Sequence, residues 1–391
     1  MRYCFALLLL STQALADDWL DRAKNLSQRF IIADTHIDVP YRIYDEWQDV
    51  VGETTMDFDY PRAKAGGLNL PFMSIYLPWS SEVDGTAFAL ANRLIDQVEA
   101  IAYRAPDRFG IPYSAAQAEA LIKSGRIALA MGMENGAAIN GKLENLRHFH
   151  RRGIRYITLA HSRSNHISDS SYDSTRLWDG LSPFGVKLVR AMNQTGVMVD
   201  VSHISDAAFW DVMEVSSAPV IASHSSLRHF VPDWERNMSD EMVQALAKNG
   251  GVIMINFGST FLTAAANKNH TTYAAARSGL MEQLGTDDQD DPRVQAFTEQ
   301  YRSQTPFEYA TVAAVADHID HVVELVGVDY VGLGSDFDGV GDSLPIGLKD
   351  VSMYPNLIAL LLKRGYAEGD IEKILGGNLM RVWKQVEAEA L

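Results

Sequence analysis

The sequence predicts an α/β fold, a (β/α)8 barrel of the TIM type, and three observations lead there. Eight apolar runs, at residues 30–38, 68–77, 126–134, 154–161, 197–203, 219–224, 251–257 and 330–336, recur along the chain between clusters of Gly, Pro, Asn and polar residues. They are hydrophobic almost throughout, with no polar face, as parallel strands covered by helices must be. The intervening stretches, such as 87–104, 182–195, 240–249 and 312–326, place apolar residues three and four apart, the spacing of helices with one buried face. Eight β-α units in a row, with no linker, low-complexity tract or repeat to divide them, predict a single barrel over residues 17–391.

Taken in order, the strands carry chemistry at their C-terminal ends. The first closes in Asp34-Thr35-His36-Ile37-Asp38, and residues two apart on a strand project to the same side, so His36 and Asp38 point together. The third run ends in Glu134, the fourth in His161, the fifth in His203, the sixth in His224 and the eighth in Asp336. Any one of these fits a helix cap or a loop hydrogen bond. Six strands ending this way place ionisable groups together where barrel enzymes build their active sites. The seventh run carries none. It leads instead into a polar, helix-prone segment at 258–307, an extended crossover before strand eight that is longer than an ordinary connection. A lid, a contact within a homodimer and a solvated elaboration all fit that segment. His318 and His321 precede strand eight on a helical pattern rather than at a strand end, and are expected to be structural.

Composition bounds the function. A chain of 391 residues, 47% hydrophobic and 21% charged, is globular with material for a large core. Its formal charge of -16 excludes nucleic acid as a partner and disfavours anionic lipid. Residues 1–16 read as a signal peptide: Arg2 supplies the positive start, Phe5 begins the apolar stretch, and Ala14-Leu15-Ala16 is a small-residue cleavage site. The mature chain then begins at Asp17, exported to a periplasm or secreted, and the only cysteine, Cys4, leaves with the signal. No stable membrane anchor is expected, because residues 386–391 lack a hydrophobic tail.

Histidines and carboxylates without thiolate suit zinc, with manganese or cobalt as substitutes. His36, Asp38, His203 and His224 are too many for one catalytic ion that keeps an open position. They suit two metals about 3.5 to 4 Å apart with Glu134 between them, while a single-metal hydrolase would leave one or two of them as supporting partners.

The segments Asp34-Thr35-His36-Ile37-Asp38, Gly132-Met133-Glu134-Asn135-Gly136, Thr158-Leu159-Ala160-His161-Ser162, Val199-Asp200-Val201-Ser202-His203, Ser223-His224-Ser225-Ser226 and Gly334-Ser335-Asp336-Phe337-Asp338-Gly339 resemble the renal (membrane) dipeptidase family. The similarity runs from about residue 30 to Gly377-Asn378-Leu379. It implies that His36 and Asp38 bind one zinc, His203 and His224 the other, and that Glu134 bridges. It implies too that His161 contacts the scissile carbonyl or its oxyanion, that Asp336 handles protons, and that Arg236 of Arg236-Asn237 holds the terminal carboxylate of a dipeptide, with Arg228 as a competitor. The family tends to accept a D-residue at the C-terminal position.

The expected reaction is attack by a metal-bridging hydroxide on the scissile carbonyl. Two other classes stay open on the residues alone. A barrel glycosidase would dispense with the histidines, and a metal- or solute-binding protein would have no need of Asp336 and His161.

Overall fold

The computed structural model describes residues 18–390, so the signal expected at residues 1–16 lies outside the described residues. All eight expected strands form: β1 (Ala33–Ile37), β2 (Leu70–Tyr76), β3 (Ala130–Glu134), β4 (Ile154–Thr158), β5 (Met198–Asp200), β6 (Ile221–Ser225), β7 (Val252–Ile255) and β8 (Val331–Leu333). They are parallel and close in sequence order, with β8 pairing back onto β1. Apart from Tyr76, every residue of these strands is buried, which is why the runs lack a polar face.

The helices follow from local signals. Ala87–Arg104 and Val312–Val326 match the apolar spacing. Pro183–Thr195 begins after Ser182, whose side chain accepts from the Gly185 backbone N–H, and ends at Gly196 in the left-handed conformation. Asp240–Lys248 starts from Ser239 in the same way, with the Met242 N–H as donor.

The N-terminal end of the barrel is filled by Phe72, Tyr156, Met198 and Met254 and stoppered by the helix Asn378–Glu389. Trp383 of that helix meets the Phe72 ring edge-on at 5.4 Å. Gly132 on β3 makes room for Tyr156: a Cβ at Gly132 would lie 1.9 Å from the Tyr156 Cζ. The ring therefore lies across β3 and sends its hydroxyl toward the opposite end of the barrel, where the ionisable groups gather.

Two expectations are refined. The 126–134 run divides, because Ile127–Ala128 pairs with Phe109–Gly110 in a separate two-stranded sheet before β3 begins. The fourth, fifth and eighth runs leave the barrel before their ionisable residues, so His161, His203 and Asp336 stand on loops. Positive φ values of 71° at His203 and 65° at Asp336 turn the chain off the strand direction there.

The 258–307 segment contains a helical hairpin, Ala264–Leu284 and Pro292–Gln304, joined by a Tyr273–Tyr301 contact at 5.3 Å and by Arg302 over the Tyr273 ring at 4.0 Å. Asn267, His270, Thr271 and Ala274, on one face of its first helix, line the cleft above the barrel. Among the described residues no helix is long and apolar enough to cross a membrane.

Gly132→Ala forces the new methyl into the Tyr156 ring, and overpacking of this kind costs about 1–3 kcal/mol or more. Chemical denaturation is expected to show that loss; a variant as stable as the parent would mean that the ring can move aside.

Candidate active site

The strand ends and the loops after them converge on Glu134. Its Oε2 lies 3.4 Å from the His36 Nε2, while its Oε1 lies 3.1 Å from the His203 Nε2, 3.3 Å from that of His224 and 3.4 Å from that of His161. The two carboxylate oxygens thus face different histidines. Asp38 completes the first group, with Oδ2 3.4 Å from the His36 Nε2, and Asp336 brings a ligand-type oxygen within 4.8 Å of both. Gly339 lets these carboxylates converge, since a Cβ there would lie 2.2 Å from an oxygen of each.

The surroundings fix which nitrogens face inward. The Tyr156 hydroxyl donates to the Thr35 carbonyl at 2.8 Å, so it accepts from the His36 Nδ1 at 3.0 Å. That leaves the His36 Nε2, buried and without a hydrogen-bond partner, facing Glu134 and Asp38. The Ser223 hydroxyl donates to Asp200 at 2.6 Å and accepts from the His224 Nδ1 at 2.7 Å, so the His224 Nε2 presents a lone pair. It lies 2.7 Å from the His203 Nε2, a hydrogen-bond separation that needs a proton between the two nitrogens. These buried imidazole and carboxylate donors fit a metal centre.

The electrostatics agree. Burial pulls the pKa of His203 and His224 well below the usual imidazole value, reinforced by Arg236 for His203 and by His36 for His224, so both stay neutral and able to ligate. Burial opposes ionisation of Glu134, yet His36 and His161 hold its pKa well below the usual range. Burial likewise opposes a proton on His36, but Tyr156, Glu134 and Asp38 draw one on, and the same negative field favours a cation. Burial raises Asp336 to about 7, opposed by His36 and supported by Asp38 and Glu134, and the Asn256 side chain donates to it at 2.8 Å.

Arg236 is 3% exposed and has no carboxylate partner among the described residues. It donates to the Ser225 hydroxyl at 2.9 Å and the His224 carbonyl at 2.7 Å, its Nε is unpartnered, and it lies over the Phe261 ring at 5.1 Å. Arg228 differs, because both of its terminal nitrogens engage Asp206, at 2.7 and 2.6 Å. His318 matches its structural expectation: it accepts from the Leu227 N–H and donates to the Leu262 carbonyl.

Tyr156, Asp200, Ser223 and Asn256 escaped the sequence reading, although Asp200 and Ser223 lie inside quoted motifs. For Asp200 and Ser223 the available signal was a polar residue within three positions of a histidine at a strand end, whereas Tyr156 and Asn256 have no such neighbour.

A parallel barrel whose strand ends gather imidazoles and carboxylates in one cleft, of about 1360 Å³ here, defines the class of barrel metallohydrolases. The chain belongs to the membrane dipeptidase family, peptidase family M19, whose pattern matches residues 20–391, and it is a metallo-dipeptidase acting on peptide bonds. Dipeptidase verJ of Clonostachys rogersoniana is 33% identical over 394 residues, 97% of this chain and 90% of that protein. The probable dipeptidase PvdM from Pseudomonas aeruginosa superposes with a TM-score of 0.82 at 28% identity, covering 96% of this chain and 100% of that one. A metallo peptidase from Rhodobacter sphaeroides, solved with a phosphinate mimic of the dipeptide L-Ala-D-Ala, shares the fold with a TM-score of 0.75 at 24% identity, covering 91% and 99%.

Tyr156→Phe removes only the oxygen that orients His36. Loss of such a partner typically lowers metal affinity or activity 10–100-fold. Competition with a chelator is expected to show that drop for the variant; an unchanged affinity would make the Tyr156 contact a matter of packing alone.

Proposed function

We propose that this protein is a two-metal zinc dipeptidase, in which His36 and Asp38 hold one ion, His203 and His224 the other, and Glu134 bridges both. The observation that carries this reading is the division of the Glu134 oxygens, Oε2 toward His36 and Oε1 toward His203 and His224. The imidazole and carboxylate donors favour zinc, with manganese or cobalt able to substitute. When bound, the ions supply Lewis acidity and a water that is nucleophilic at neutral pH.

The remaining groups complete a dipeptide site. Arg236, a buried cation without a carboxylate of its own, receives the free C-terminal carboxylate of the substrate. His161, kept neutral mainly by burial, stands beside Glu134 and donates to the developing oxyanion, an effect worth about 3 to 4 kcal/mol for a well-placed donor. Asp336, raised to about 7 mainly by burial, takes a proton from the attacking water and delivers it to the leaving amine. Dipeptides ending in a D-residue are included among the substrates. The L-Ala-D-Ala mimic on the Rhodobacter fold relative makes L-Ala-D-Ala the first compound to assay against L-Ala-L-Ala.

Three outcomes test the reading. Protein passed into metal-free buffer should retain two divalent ions per chain, and a strong chelator should abolish dipeptide turnover. Full activity with a single retained ion would contradict the two-metal site.

Asp336→Asn should lower kcat by about 10²–10⁴-fold with both ions still bound, because an amide cannot accept the proton. Asp336 also lies within ligand range of His36 and Asp38. Loss of an ion in this variant would therefore make Asp336 a ligand rather than a proton carrier.

Arg236→Ala should raise KM and reduce kcat/KM about 10- to 150-fold, the equivalent of a charge-assisted hydrogen bond worth about 1.5–3 kcal/mol. Amidating the dipeptide should cripple the parent enzyme and hardly affect the variant. A variant that still prefers the free acid as strongly as the parent does would place the carboxylate anchor elsewhere.

A further inference from the structure

Away from the strand ends, two imidazoles and a carboxylate meet on the outside of the barrel, and the hydrolytic reaction has no use for them. His229 lies on the connection after β6, Asp240 is the first residue of the helix Asp240–Lys248, and His321 belongs to the helix Val312–Val326. The three offer ligand atoms that all lie within 4.8 Å of one another. The His321 Nε2 is 2.9 Å from the Asp240 Oδ1, and the His229 and His321 rings stack at 4.0 Å. Nearby His318 shows what a packing histidine looks like here, fully buried with both nitrogens bonded to backbone. His229 is exposed and Asp240 and His321 are half-buried, so a solvent ion can reach them.

We propose that His229, Asp240 and His321 form a further divalent-metal site, for zinc or a similar borderline cation, separate from the strand-end cluster. Two imidazoles and one carboxylate are a recurrent zinc donor set that leaves one position for water. Zinc bonds of about 2.0–2.2 Å in tetrahedral array put donor atoms roughly 3.4 Å apart. The present separations, 2.9 Å for one pair and at most 4.8 Å for any, need only small side-chain rotations at the surface.

The place of the site gives the ion a role. The connection at 227–238 is pinched at its base by the Leu227–Met238 bridge, and its Phe230 ring packs on His318 at 4.3 Å. The same connection carries Arg236. An ion held by His229 together with residues of two helices fastens this segment to the barrel wall, and it stabilises the folded chain because the three ligands come together only on folding. Three protein ligands at the surface hold it less tightly than the buried cluster holds its ions, so it is lost on transfer to metal-free buffer.

The test is a calorimetric zinc titration of the holoenzyme with its buried ions already in place, beside His321→Ala and Asp240→Asn. The second variant keeps the Ser239 cap of its helix, and an unchanged kcat in both variants certifies that the fold is intact. The parent is expected to take up one further equivalent of zinc and to melt at rising temperature as free zinc increases. Both variants should take up none and show no such rise. Equal uptake by the parent and the variants overturns the proposal, as does a melting temperature that responds to zinc equally in all three.

Discussion

A carboxylate buried among four imidazoles sets the terms for the rest of this structure. Glu134 is 4% exposed, and burying an ionised group costs several kcal/mol unless opposite charge and hydrogen bonds offset it. His36, His161, His203 and His224 supply that offset only in part, because burial also keeps three of them, His161, His203 and His224, from holding a proton. With Asp38 and Asp336 close by, the hole is short of positive charge. A family of metallopeptidases meets that shortage with metal ions, and the Nε2 atoms of His36 and His224 already point into it.

Holding such a hole open takes a rigid frame, and the barrel provides it through buried polar contacts behind the histidines. Asp34 accepts from the backbone N–H groups of His36 and Ser335 and, at 2.5 Å, from the Tyr354 hydroxyl, which ties the end of β1 to the loop after β8. Asp200 does the same work between β4, β5 and β6 by accepting from Thr158, Ser202 and Ser223. Burial raises the pKa of both carboxyl groups against these hydrogen bonds. Orientation of candidate ligands by a second ring of partners is what precise metal chemistry requires.

How far the sequence revealed this varied with the physics involved. The eight strands and the longer helices were legible, since parallel strands buried on both faces and helices with one apolar stripe leave strong patterns. The residues gathered at Glu134 were legible as well, because each follows an apolar run. What could not be read was direction: nothing in the order of residues says that His203 and Asp336 take positive φ and turn back over the cleft. The Tyr156 hydroxyl beneath His36 depends on the space left by Gly132, a relation between neighbouring strands that no local pattern records. That Arg228 pairs with the Asp206 carboxylate, while Arg236 has no such partner among the described residues, likewise emerges only in the folded chain. The 258–307 segment was recognised as long and helix-prone, but its place along the cleft emerges only once the chain is folded.

If Glu134 joins two metal ions, paramagnetic resonance of the cobalt-substituted protein will reveal their coupling. With two cobalt ions per chain a spin-coupled pair is expected, its coupling lost or sharply weakened in Glu134→Gln. Two independent, uncoupled cobalt signals in the active parent protein, unaltered by Glu134→Gln, would contradict it.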